Sequence, residues 1–160
     1  MKTLQQGAQD MKRLADEYKA FDRNIPKIAG AIAVKVIHKN FKKQGFVEEK
    51  GTQTKWSARK PQTNYAYDNY KSYKGNRYGS DRPILLQSRN LYRGISFKVE
   101  GEHKVFVGVN LNEVPYAQFV NERVRDGTQD KYLGWSKGIA ESIHEDIVRR
   151  RAKIFKNFQK

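Results

Sequence analysis

The sequence predicts an α+β fold: one domain over residues 1–160 in which long helices cover one face of a small antiparallel sheet. Three patterns carry that prediction. Apolar residues recur at steps of three and four along residues 4–44, alternate at a step of two between Ile95 and Val109, and return to helical spacing after Lys137.

Leu4, Ala8, Met11, Ala15, Tyr18 and Phe21 form the first stripe and predict an N-terminal helical segment over residues 1–21. Asn24 then offers a cap, with Pro26 in a first turn, where its missing N–H costs little. Ile25, Ile28, Ala29, Ile32, Val36, Ile37 and Phe41 continue as a second helix, Pro26 to Gln44, which Gly45 stops as a left-handed cap. The opposite face carries Lys27, Lys35, Lys39, Lys42 and Lys43.

"FVEEKGTQTKWSARK" reads as a short strand with Trp56 as an anchor. Residues 61–82 bring Tyr65, Tyr67, Tyr70, Tyr73 and Tyr78 but almost no aliphatic side chain, so they predict an exposed loop with no core of its own. The cluster Ile84-Leu85-Leu86 follows. Ser88 then caps a single helical turn, "SRNLYRG", whose Leu91 sits beneath Leu85 and Leu86.

Ile95, Phe97 and Val99 alternate with Ser96 and Lys98, and Val105, Val107 and Val109 alternate with Lys104, Phe106 and Gly108. Gly101 lies between the two runs, which makes a hairpin with one face against the long helix. "VPYAQFVNERVRDG" predicts a short compact element ending at Gly127. A last helix starts at Lys137 behind the cap Ser136, with Ile139, Ile143, Ile147, Ile154 or Phe155, and Phe158 on one side. Its end is basic, and a helix C-terminus favours cations in any case.

There are 32 Lys and Arg against 17 Asp and Glu, a formal charge of +15. Such a surface attracts polyanions, whether nucleic acid, acidic proteins or anionic lipid. Cysteine is absent, which excludes a disulfide framework and thiolate metal sites. No apolar run reaches the ~18 residues that would span a bilayer. The start "MKTLQQGAQDMKRLADEY" lacks the apolar core of a signal peptide, so a cytoplasm-like compartment is expected.

Catalytic patterns are missing. His38, His103 and His144 have no metal-ligand spacing, and His38 reads as a satisfied boundary residue. Glu141, Glu145 and Asp146 face Arg149 and Arg150 one turn on, as a solvated ion-pair face does. "GNRYGS" lacks the lysine and the spacing of a phosphate loop, and no serine sits in a nucleophile elbow. No cofactor or small-molecule substrate is expected. The tyrosine loop, interleaved with Lys71, Lys74, Arg77 and Arg82, suits either a protein interface or the stacking of single-stranded nucleic acid.

"NFKKQGF", "TKWSARK", "ILLQSRNLYRGISF", "VFVGVN", "YAQFV" and "YLGWSKGIAESIHEDI", in that order, resemble the phage virion morphogenesis family. This is the Mu-like tail completion group, related in role to tail terminators and head–tail joining proteins. By that resemblance Trp56, Leu85, Ser88, Leu91, Ile95 and Gly108 are motif and core positions, and the fold is tail-terminator-like. Tyr116 and Ala117, with Tyr65, Tyr67, Tyr70 and Tyr73, would lie at a subunit or partner interface. Arg149, Arg150, Arg151 and Lys153 would meet DNA or an acidic neighbour.

The resemblance implies a non-enzymatic virion protein, made in the bacterial cytoplasm, that forms a ring, sixfold by expectation. The ring would complete the tail or join it to the head. Its partners would be the tail tube and head–tail connector proteins, with non-specific contact to DNA in the lumen. The alternative is a basic nucleic-acid-binding module that uses the tyrosine loop and the C-terminal helix.

Overall fold

Where the sequence predicts two helices there is one: α1 runs unbroken from Leu4 to Lys43. The computed structural model describes residues 3–49, 52–56, 90–122, 124–125, 128–129 and 131–159. A capping box starts α1, with Gln6 N donating to Thr3 Oγ1 at 3.2 Å and Thr3 N donating to Gln6 Oε1 at 2.9 Å.

The expected boundary at Asn24 and Pro26 is absent. Asn24 does not cap; its Nδ2 donates to the Ala20 carbonyl at 2.9 Å, and Pro26 is buried inside the helix. A proline there costs about 3 kcal/mol of local helix energy. The helix nonetheless continues through it; one turn before Pro26, Arg151 donates to Asp22 Oδ1 at 2.8 Å and lies 6.0 Å from the Phe21 ring. The continuous helix is ~60 Å long at 1.5 Å per residue, and at its start Leu4 and Met11 are exposed.

The predicted stop is also displaced by one residue. Gln44, at φ 53°, takes the left-handed cap and donates its N–H to the Asn40 and Phe41 carbonyls. Gly45 instead opens β1, Gly45–Glu49, which pairs antiparallel with β2, Thr52–Lys55. A Cβ on Gly45 would stand 2.5 Å from the Thr54 carbonyl oxygen, so the glycine serves the strand pairing and not the cap.

The single helical turn is α2, Asn90–Gly94. The predicted hairpin follows as β3, Ile95–Glu100, and β4, Lys104–Val109, in unbroken register from Ile95↔Val109 to Glu100↔Lys104. Gly101 turns it at φ 66°. The element expected to end at Gly127 is α3, Ala117–Glu122, plus a two-residue ladder of β5, Val124–Arg125, with β6, Thr128–Gln129; Gly127 lies outside the described residues. Helix α4 spans Lys137–Phe158, and Ser136 Oγ accepts from Ile139 N at 3.2 Å as the cap.

The class is α+β as predicted. Among the described residues, however, the strands form three separate two-stranded ribbons and not one sheet. The β1–β2 and β3–β4 ribbons share one support, the C-terminal half of α1. Ala33, Val36, Ile37 and Phe41 are buried together with Trp56, Leu91, Ile95, Val114, Ala117, Tyr132 and Ile139. Phe41 is wholly buried and meets Trp56, Tyr92 and Tyr132 at centroid distances of 5.5, 5.8 and 5.5 Å.

The β3–β4 ribbon lies flat on α1 because Gly30 leaves room for it. A Cβ there would come within 2.3 Å of the Phe97 ring and 2.9 Å of a Val105 methyl. Helix α4 runs antiparallel to α1. Its first turn meets β1, where Lys137 Nζ is 3.1 Å from Glu49 Oε1, and Arg151 reaches back to Asp22.

Two glycines of α1 therefore respond oppositely to a side chain. Gly30→Val should lower the stability measured by urea unfolding by about 1–3 kcal/mol through overpacking. Gly7, with nothing within 4 Å of an added Cβ, should gain roughly 0.5–1 kcal/mol as Gly7→Ala.

Candidate functional site

Helices α1 and α4 do not close against each other along their whole length. Between them runs a groove of about 830 Å³. Asn24, Lys27, Ala31 and Lys35 line it from α1 and Asp146, Arg149, Arg150, Lys153 and Asn157 from α4. Steps of three and four place each set on one helix face. The floor is apolar, with Ile28, Ile32 and Ile154 half-buried.

Five cations thus surround the single carboxylate of Asp146. That carboxylate is buried and accepts from both Arg149 and Arg150. The Arg150 hydrogen bond holds its pKa below the ordinary carboxylate value, with Arg149 and both guanidinium charges acting the same way against burial. Among the described residues no ion pair engages Lys27, Lys35 or Lys153.

The four basic residues singled out in the C-terminal helix therefore separate. Arg149, Arg150 and Lys153 line the groove. Arg151 instead fastens α4 to α1: its guanidinium pairs with Asp22, and its carbonyl accepts from Tyr18 Oη at 3.5 Å. Lys27 and Lys35 join the groove from α1, on the face opposite its predicted apolar stripe.

A second constellation surrounds Tyr132, which local sequence pattern did not mark as core. Its hydroxyl donates to the Ala117 carbonyl at 2.9 Å, and Asn121 Oδ1 accepts from the N–H groups of Tyr132 and Leu133 at 3.1 and 2.9 Å. Trp56 Nε1 donates to the neighbouring Lys131 carbonyl at 2.9 Å. Burial, with a smaller contribution from Tyr116, pushes the Tyr132 hydroxyl up to about 12.

The interface position expected of Ala117 is corrected here. At 1 % exposure its methyl packs inside the chain, whereas Tyr116 beside it is 42 % exposed. Trp135, absent from the sequence-based candidates, is 70 % exposed directly before the buried cap Ser136. Phe106 and Leu111 are exposed as well.

Of the motif positions, Trp56, Leu91 and Ile95 are core. Gly108 is a half-buried strand position where a Cβ would meet nothing within 4 Å, so packing does not demand a glycine. His38 is satisfied as expected, its Nε2 lying 3.0 Å from the Tyr92 carbonyl and its ring stacked on Tyr92 at 4.0 Å. A carbonyl can only accept, so Nε2 carries the proton. Leu85, Ser88, Tyr65, Tyr67, Tyr70 and Tyr73 lie outside the described residues. Among the described residues no three His, Asp or Glu side chains gather as a metal site requires, and no helix is long and apolar enough to cross a membrane. No family model, no curated protein and no solved structure matches the chain.

The Tyr132 hydroxyl gives a pH signature. Its folded pKa is raised from 10.0, so its contribution to stability is complete below pH 10 and is lost as pH rises toward 12. Tyr132→Phe should cost about 1 kcal/mol at pH 7 through the lost hydrogen bond. In urea titrations at stepped pH, the gap between wild type and variant should narrow above pH 10.

Proposed function

We propose that this chain is a non-enzymatic structural subunit of a phage or prophage virion. It assembles with copies of itself, six by expectation, into a ring that completes the tail or joins it to the head. The reading rests on the ordered motifs from "NFKKQGF" to "YLGWSKGIAESIHEDI" and on one structural observation in particular: Trp135 stands 70 % exposed directly before Ser136, the cap of α4. A tryptophan held outside a packed frame suits burial against another protein, where aromatic anchors carry much of the binding energy.

Tyr116, Phe106 and Leu111 supply further exposed apolar surface. Among the described residues every strand has a single ladder partner, which leaves ribbon edges open to a neighbour. Tail tube and connector proteins would meet these surfaces, and the excess positive charge would face DNA in the lumen without reading its sequence.

A second reading, a free nucleic-acid-binding module, draws on the same charge and on the tyrosines of residues 61–82. It requires tight, salt-steep DNA or RNA binding by the monomer that is lost in Tyr67→Ala/Tyr70→Ala.

Electron microscopy of the purified protein mixed with tail tubes tests the first reading. Rings seated on tube ends are expected, and Trp135→Ser should abolish them while leaving the circular dichroism spectrum unchanged. Tubes left uncapped and unjoined by the wild-type chain would refute it.

A further inference from the structure

We propose that the groove between α1 and α4 is a docking site for an acidic amphipathic helix of a partner protein. Its floor and its rims ask for different things of an occupant. Ile28, Ile32 and Ile154 offer half-exposed aliphatic surface, with the small Ala31 leaving the trough open between them. Lys27 and Lys35 on one rim and Lys153 on the other offer cations outside any ion pair among the described residues, beside Arg149 and Arg150, which already share Asp146.

A helix with an apolar stripe flanked by carboxylates answers both at once: the stripe covers the isoleucines, and the carboxylates reach the two rims. The trough follows α1 from Ala20 to Lys35, ~22 Å at 1.5 Å per residue, or about four turns of a bound helix. A third helix laid between two antiparallel ones is the helix-in-groove mode of recognition.

Two other occupants fit less well. A nucleic-acid backbone brings negative charge but no apolar face, and would leave the isoleucines of the floor uncovered. A second copy of this chain has no long acidic helix to lay in the groove, since α1 and α4 each carry more Lys and Arg than Asp and Glu. The site needs no ring, because all of its lining residues belong to one chain, so it stands or falls apart from the assembly reading.

The test uses the full-length protein and a fluorescein-labelled synthetic helix of about 18 residues, with leucines at helical spacing and glutamates on both flanks. A scrambled peptide of the same composition and a double-stranded DNA oligonucleotide are the comparators. The ordered peptide should bind at least about tenfold more tightly than the scrambled one.

Ala31→Trp fills the floor without changing charge, and Lys27→Glu/Lys153→Glu inverts both rims. Each should weaken the ordered peptide by about tenfold or more. Ala31 and the two lysines are exposed, and unchanged circular dichroism will show that the variants fold. DNA binding should be indifferent to Ala31→Trp. Equal affinity for ordered and scrambled peptides would reduce the site to a charged patch and overturn the proposal. So would no binding of the ordered peptide, no effect of Ala31→Trp on it, or a DNA affinity that Ala31→Trp abolishes.

Discussion

Phe41 is the constraint on which the rest depends. It is wholly buried near the end of a long helix, and three rings from three otherwise separate parts of the chain converge on it. Each edge or tilted contact contributes ~0.5–1.5 kcal/mol beyond simple burial. Their joint effect is geometric: Trp56 brings β2, Tyr92 brings α2 with its following hairpin, and Tyr132 brings the segment that leads into α4. Small two-stranded ribbons are marginal alone. Here the helix supplies what a continuous sheet would otherwise provide.

The hub also accounts for the placing of the polar groups around it. Trp56, Tyr132 and His38 each present an apolar body to the cluster and a hydrogen-bonding atom to a backbone carbonyl at its edge. Buried amphipathic side chains are stabilising only on those terms. At the other end of α1 the logic changes. Burial is thin there, and α4 is held by Arg151 and Asp22. The groove lies along this seam, where the two helices are held together without being fully packed.

Much of this was legible in the sequence wherever the signal was local. Alternation of Ile95, Phe97 and Val99 with polar neighbours sets a strand face by itself, and Ser136 marks a helix start from its own chemistry. The misreadings arose where a local rule met a distant partner. Gly45 is the better left-handed residue by propensity, but Thr54 occupies the space that any side chain there would need, so Gln44 takes the strained position. Pro26 ordinarily limits a helix, yet α1 continues through it with Pro26 buried, a tertiary placement that local propensity does not foresee.

Tyr132 lies between Lys131 and Leu133 with no periodic frame to mark it as core. The groove is likewise written in no single stretch. Arg149, Arg150 and Lys153 were readable as a basic helix end, but their meeting with Lys27 and Lys35 follows from the antiparallel packing of helices far apart in the chain.

The Trp56–Lys131 hydrogen bond spans 75 positions, and the Tyr18–Arg151 contact spans 133. During synthesis the first helix therefore leaves the ribosome long before the residues that cover its apolar stripe have been made. Phe41 must wait for Tyr132, and Asp22 for Arg151. A nascent chain of this kind keeps that stripe open to chaperones and to its own neighbours until Tyr132 and Arg151 have been made.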